Sequence, residues 1–353
     1  MWSATTLHAC LMLWGLWDSA PYPANSFLPL DLNLTAHIFQ DFMTQFNKTY
    51  RTQEERDYRF TVFVQNLKAS CVLQASELGT AQYGVTLFSD LTESEFEKMF
   101  GIQHPSHPPT LKQSVKLLKG AKSVSCDWRK FGAITAVKHQ GNCKSCWAFA
   151  AVSNIEALWN IHFGLPRNLS VQEVVDCMRC AHGCEGGYPW DAFQTVLNRS
   201  GLTNDKQYPY MGKQQSCRKN QGKAVAWIQD YEFLPKDEKY IAHVVASRGP
   251  VTALLNVKAF QHYRKGIIRR PSQACSPENV DHVVLIVGYG EVKSRRGSWS
   301  GPYWIIQNSW GKNWGEEGYF RLHRGTNTCG IAKYPVTAIV RNAETRLPAL
   351  CPP

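Results

Sequence analysis

The stretch from Gln140 to Ala150, QGNCKSCWAFA, sets a side-chain amide, a tight turn and two cysteines ahead of an apolar run. Beyond Cys146, the residues Trp147, Ala148, Phe149, Ile155 and Leu158 recur at about helical spacing, which predicts a helix beginning at that cysteine. A helix N-terminus favours thiolate over thiol, and the thiolate is the nucleophilic form. Gln140 can fold back beside the same sulfur, so that its amide and the Cys146 backbone N–H form a pair of donors for an oxyanion. Taken alone, the stretch also suits a structural Cys-x-x-Cys pair, a redox dithiol or half a zinc site.

Two distant segments bear on the choice. VDHVVLIVGYG, Val280 to Gly290, places His282 at the start of an apolar run that predicts a buried strand, and YWIIQNSWG, Tyr303 to Gly311, places Asn308 at the end of another. A thiolate needs a base that becomes its imidazolium partner, and that base needs a group to hold its ring. An Asn carbonyl oxygen can accept the ring N–H, and Trp310 is large enough to cover that bond from water. QGNCKSCWAFA, DHVVLIVGYG and NSWGKNWGEEGY together resemble the three signature blocks of the papain family of cysteine proteases, in order and at the family's separations.

The resemblance implies an α+β fold of two lobes with a cleft between them, a helical lobe over about 140–225 and a strand-rich, barrel-like lobe over about 226–340. It assigns Cys146 as nucleophile, His282 as its partner, Asn308 as the group orienting His282 and Gln140 as oxyanion donor. Around the cleft it places Lys144, Trp147 and Trp310, with Gly186 and Gly187 for backbone docking of an extended peptide. The pocket for the second residue on the acyl side of the cleaved bond is expected from Tyr188, Pro189, Leu254, Val280 and Val283, with Tyr334 at its floor. No metal or organic cofactor is called for. The expected partners are a peptide or protein substrate, the chain's own propeptide and cystatin-type inhibitors, with the protein a monomer.

Lys144 stands where the family has Gly, Ala150 where Ser is frequent, and Val283 where a smaller residue is common. These departures keep open an alternative, a weak or inactive relative that acts by binding. The resemblance also pairs Cys143 with Cys184, Cys177 with Cys217, and Cys275 with Cys329. The close set Cys177, Cys180, His182 and Cys184 would otherwise suggest zinc. With Cys146 set aside, Cys126, Cys180 and Cys351 remain in the region after the linker, and Cys126 with Cys180 is the expected extra bridge.

Ahead of these blocks the chain changes character. Residues 1–22, with the apolar core Leu7 to Trp17, are expected to be a signal peptide, and no later run is apolar enough to span a bilayer. Residues 23–124 are expected to be a propeptide and linker, 125–353 the protease domain, and 341–353 a C-terminal extension. Within the propeptide, Glu55, Arg59, Phe63, Asn66, Ser70 and Gln74 fall at helical intervals, and YGVTLFSD follows. The first resembles the prosegment helix signature of the F/W-type branch of the cysteine cathepsins, and the second the family's prosegment G-x-N-x-F-x-D block, with Thr86 where Asn is usual. An ordinary amphipathic helix pair would fit the same periodicity. Prolines and scattered lysines after Gly101 predict an extended, cleavable linker. Sequons at Asn33, Asn47, Asn168 and Asn198, and twelve cysteines in all, suit a secretory route. The branch implies the endoplasmic reticulum, with lysosome or granule as the alternative.

Residues 1–100 carry 6 Lys and Arg against 11 Asp and Glu, and residues 101–353 carry 33 against 17. Opposite charge on two parts of one chain favours docking of one on the other. The basic residues are scattered, so a specific nucleic-acid role is not expected. The isolated segment 31–120, added in trans at neutral pH, should inhibit the remainder at micromolar concentration, and inhibition should weaken as its carboxylates protonate. No inhibition at that concentration would refute the docking.

Overall fold

The computed structural model describes residues 32–102, 124–179, 182–218, 222–270, 275–293, 299–340 and 351–353. The expected signal peptide, linker and most of the C-terminal extension lie outside them, as does Cys180. Among the described residues, no helix is long and apolar enough to cross a membrane.

The N-terminal segment folds around two helices, α1 (Leu32–Gln45) and α2 (Gln53–Ala75). The Thr52 side chain caps α2 by accepting from Glu55 N, and Glu54 and Glu55 add negative charge to its first turn. Phe39, Phe42, Phe63 and Leu67 form a small buried core between the helices, with the Phe42 and Phe63 rings 5.0 Å apart. The next face of α2 grips the returning chain. Arg59 makes two hydrogen bonds to Glu95 at 2.8 and 3.0 Å and a third to Asp90 O. Asn66 donates to Ser89 O and Leu91 O, while Gln74 donates to Ala81 O and accepts from Tyr83 N. The spaced positions read in the sequence thus serve a turn-by-turn clamp, which an isolated amphipathic helix pair would not require. The returning chain forms β1 (Gln82–Tyr83) and α3 (Glu93–Phe100), the latter begun by a Thr92–Glu95 capping box.

In the main body, β2 (Cys126–Asp127) precedes the long helix α4 (Cys146–Phe163), then α5 (Val171–Cys177) and α6 (Pro189–Asn198). Helix α4 is buried on nearly every side, as a helix between two packing layers must be. The second half contains β3 (Asp230–Phe233), α7 (Glu238–Ser247), β4 (Val251–Leu255), β5 (Tyr263–Lys265), β6 (Ile267–Ile268), β7 (His282–Val292), β8 (Gly301–Gln307), β9 (Tyr319–His323) and β10 (Val336–Ile339). The main sheet runs β3-β10-β4-β7-β8-β9-β6, with β2 added to β7 and β5 paired instead with β1 of the N-terminal segment. Apart from Glu291 and Val292, all of β7 is buried, consistent with its continuous apolar run. Gly288 lets β2 approach it, because a Cβ there would lie 2.3 Å from Cys126 O. One core lies in the sheet half. The second joins α4, α5 and α6 to Leu254, Val280, Val283 and Val336 and so ties the lobes together.

Disulfides join Cys143 to Cys184, Cys177 to Cys217 and Cys275 to Cys329. Two of them take Cys177 and Cys184 of the zinc alternative, and no metal-holding cluster occurs among the described residues. The expected Cys126–Cys180 bridge is wrong, because Cys126 is bonded to Cys351. The physical reason is the path of the last residues: Asp127 N donates to Pro352 O at 2.8 Å, Lys130 Nζ to Pro353 O at 2.6 Å, and Cys351 N to Ala246 O at 3.3 Å. The chain end therefore lies beside β2. Closing a loop 225 residues apart in sequence restricts the unfolded chain strongly. Replacing both cysteines by serine should lower stability by about 2–4 kcal/mol, read from urea denaturation midpoints. An unchanged midpoint would show that the tail contributes nothing to the fold.

Candidate functional site

Cys146 is the first residue of α4, His282 the first of β7, and Asn308 follows the last residue of β8. Three separate elements thus converge. Antiparallel pairing sets His282 opposite Leu255 and Leu285 opposite Gln307, which brings the starts of β7 and the end of β8 together. His282 Nε2 lies 2.8 Å from Asn308 Oδ1, which also accepts from Ser309 N. The Trp310 ring sits 4.9 Å from the imidazole and is itself fully buried. Cys146 lies in one buried cluster with Val283, the residue next to His282. All four residues, Cys146, His282, Asn308 and Gln140, are buried.

Gln140 is held from both ends. Its Oε1 accepts from Ser309 Oγ at 2.6 Å, and its Nε2 donates to Cys143 O at 2.9 Å in the loop leading to Cys146. Ser309 therefore decides which way the amide points, so that its N–H groups face the Cys146 loop. Tyr210 supports the same loop by donating to Gln140 O, lying 2.7 Å from Ser145 Oγ, and packing its ring on Phe149. Sequence reasoning missed both residues. Ser309 stood beside a residue already singled out, whereas nothing local to Tyr210 marks it.

The electrostatics differ from the acidic thiol expected of a helix N-terminus. Burial pushes the Cys146 thiol up to about 12, a rise that backbone N–H groups of Val283 and Trp147 only partly oppose. Burial likewise holds His282 down at about 4, against the hydrogen bond to Asn308 and the nearby Phe100 carbonyl. At neutral pH both groups are uncharged. The N-terminal segment adds to that burial: Phe100 O lies 3.4 Å from His282 Nδ1, Ile102 N donates to Asp281 O at 2.7 Å, and Ile102 shares the buried cluster of Cys146. Desolvation here outweighs the helix terminus, because a charge deprived of water costs more than a partial helix charge returns. Burial also raises the Asp281 carboxyl to about 7.

Ile102 joins Leu254, Val280, Val283, Trp147 and Tyr334 in one apolar cluster, with Tyr188 packed against it. It rests on Gly186, where a Cβ would come 3.3 Å from the Ile102 side chain. Gly186 has φ 121°, a conformation that side chains rarely adopt. Pro189 opens α6, and Trp190, missed in the sequence, stacks on Tyr188 at 4.8 Å and lies 6.1 Å from Tyr334. Gly187 is half-buried beside them. Lys144, half-buried, donates its backbone N–H to Cys184 O at 3.1 Å and is not among the residues with positive φ. A lysine in place of glycine therefore brings no backbone strain here.

With the N-terminal segment in place, iodoacetamide at pH 6 should leave Cys146 almost unmodified. Once the segment is cut at the linker and removed, water returns, the thiol pKa falls and the same residue should label first. Fast labelling of Cys146 in the intact chain would contradict the dry-site account.

Residues 123–339 match the family model described as papain family cysteine protease, and residues 39–96 match the cathepsin propeptide inhibitor domain. Cathepsin W of Mus musculus is 45% identical over 92% of this chain and 91% of that protein; cathepsin F of the same species is 41% identical over 89% of this chain and 67% of that protein. The solved structure of digestive procathepsin L2 proteinase from the larval midgut of Tenebrio molitor superposes with a TM-score of 0.76 at 30% identity, covering 87% of this chain and all of that one. The shared length extends through both the N-terminal helical segment and the two-lobed body. This chain belongs to the papain family of cysteine proteases and carries a cathepsin-type inhibitory propeptide in front of its protease domain.

Proposed function

We propose that the chain is a zymogen whose peptide-bond hydrolysis runs through Cys146, His282, Asn308 and Gln140. The observation that carries this reading is the 2.8 Å contact of His282 with Asn308, with Cys146 at the start of α4 packed in one buried cluster with the neighbouring Val283. After the propeptide leaves, the Cys146 thiol passes its proton to His282, and the thiolate attacks the scissile carbonyl carbon. The carbonyl π electrons move to oxygen, and the resulting oxyanion accepts from the Cys146 backbone N–H and the Gln140 amide. As the tetrahedral centre collapses, the C–N bond breaks and His282 gives its proton to the leaving amine. Water, deprotonated by His282, then attacks the thioester, and the C–S bond breaks to release the acid and restore the thiol. Asn308 holds the imidazole ring throughout, and Trp310 keeps water from that hydrogen bond.

Removal proceeds by cleavage in the linker between Gly101 and about Lys122, with 1–22 as signal peptide and 125–353 as the mature domain. In the uncleaved chain, Ile102 fills the apolar cluster of Leu254, Val280, Val283 and Tyr334, which supports an apolar preference for the second acyl-side residue. Lys144 narrows the neighbouring subsite at the cleft rim. The sequons at Asn33, Asn47, Asn168 and Asn198 all lie on exposed residues, which supports glycosylation along a secretory route, ending in the endoplasmic reticulum or a lysosomal compartment. Cystatin-type inhibitors fit the same cleft, and a monomer suffices for all these roles.

Purified, processed protein should cleave peptides from a library, and Cys146→Ala should abolish turnover. Gln140→Ala should lower kcat by about 10²–10³ with the fold intact, since one oxyanion donor is lost. A near-normal kcat in that variant would assign the donor elsewhere, and turnover surviving Cys146→Ala would remove the nucleophile from the scheme.

A further inference from the structure

Away from the cleft, the propeptide is anchored by a second, polar contact on the edge formed by β5 and β6. Arg270 is its centre. Its side chain is 2% exposed, yet among the described residues every hydrogen-bonding or ionic partner of the guanidinium belongs to the propeptide: Leu73 O, Ser76 Oγ and the Glu77 carboxylate, the last 3.9 Å away. Its face covers the Tyr83 ring at 5.5 Å, and among the described residues its Nε has no partner. Glu77 is bound in turn by Arg269 N at 2.7 Å, and its other oxygen accepts from Tyr83 Oη at 2.6 Å.

The backbone around Arg270 is used in the same way. β1 pairs antiparallel with β5, matching Gln82 with Lys265 and Tyr83 with Tyr263. Ile267 N donates to Thr80 Oγ1, Ile267 O accepts from Thr80 N and Ala81 N, Arg269 O accepts from Leu78 N, and His262 O accepts from Gly84 N. When the propeptide departs, all these partners go with it. What remains is a strand edge with fixed donors and acceptors, a buried arginine turned to solvent, and the exposed side chains of Arg264 and Lys265 beside it. Such an edge takes an extended segment as an added strand, and a guanidinium with open N–H groups takes a carboxylate at a set register.

We propose that in the processed enzyme this edge is a docking exosite for an extended acidic segment of a protein substrate, with Arg270 as the carboxylate receptor. The proposal rests on the zymogen reading, since the surface opens only when the propeptide has left. Its occupant is defined by the one seated there now: a short strand, Gln82–Tyr83, with a glutamate placed before it across a bend. The charge supports the same choice, because the propeptide side is net acidic and the docking side net basic. Docking here would hold a substrate near the cleft without touching Cys146 or His282, so it would raise effective concentration and leave the chemical step unaltered.

The test uses the full chain cut within residues 103–123 and separated from residues 1–102, with the intact chain as control. A fluorescein-labelled peptide of residues 76–86 is titrated with each, and binding is read by anisotropy. Saturable binding to the processed protein is expected, with none to the intact chain, and at least tenfold weaker binding for the Glu77→Gln peptide or the Arg270→Ala protein. A second arm joins that peptide, through a flexible linker spanning what residues 87–99 span, to the N-terminal side of a short cleavable sequence. Its kcat/KM should exceed that of the short sequence alone severalfold, and the gain should vanish in Arg270→Ala. Equal cleavage of the short sequence by both proteins verifies that the variant is folded. Equal binding of the Glu77→Gln peptide, or a gain that survives Arg270→Ala, would overturn the exosite. Absence of all turnover would count against the proteolytic reading alone, because the binding arm needs none.

Discussion

The hydrogen bond between His282 and Asn308 depends on nearly everything else in the body of the protein. Its two ends come from adjacent strands, so its length is set by the β7–β8 register and cannot be adjusted locally. Trp310 covers it, and Trp310 is held by Trp314 at 4.7 Å and by the three propeptide rings Phe88, Phe96 and Phe100. Those rings belong to the turn and helix that Arg59, Asn66 and Gln74 clamp from α2. A chain of contacts therefore runs from the propeptide core to the imidazole without a break.

That chain explains how one segment can inhibit twice over. Phe100 and Ile102 occupy the cleft, which obstructs a substrate by volume. They also dehydrate the site, which keeps Cys146 protonated and His282 neutral. The helix N-terminus at Cys146 favours a thiolate in either state, but its contribution is about 1 kcal/mol where the desolvation of an unpaired buried charge costs several. Inhibition by drying requires no distortion of the machinery. The His282–Asn308 bond and the Ser309–Gln140–Cys143 relay are already assembled beneath the cover.

The ends of the body are closed with similar economy of contact. Residues 351–353 return to β2, where a disulfide and one backbone hydrogen bond hold them, with a second backbone bond to Ala246 of α7. β2 itself leans on β7 only because Gly288 has no side chain. The strand that opens with His282 is thus flanked along its length by β4, β8 and β2, which suits a strand whose first residue must not move.

Much of this was legible in the chain itself. A helix opening at Cys146, a buried strand opening at His282 and a strand closing before Asn308 follow from hydrophobic periodicity, because each is decided by its own neighbours. The spacing of Arg59, Asn66 and Gln74 announced a shared helical face. Periodicity says nothing of what lies across from a residue, however, and there the sequence was silent or misleading. Cys126 was assigned to Cys180, whereas the path of the tail gave it to Cys351. Tyr210 and Trp190 went unnoticed because their roles rest on contacts with Ser145 and Tyr334, which the chain reaches only after folding. The protonation of Cys146 was misjudged for the same reason. Residue type and helix position by themselves determined that a thiol stands at a positive helix end. Only the tertiary structure decided that Phe100 and Ile102 exclude water from it, and for a buried charge the loss of water outweighs the helix.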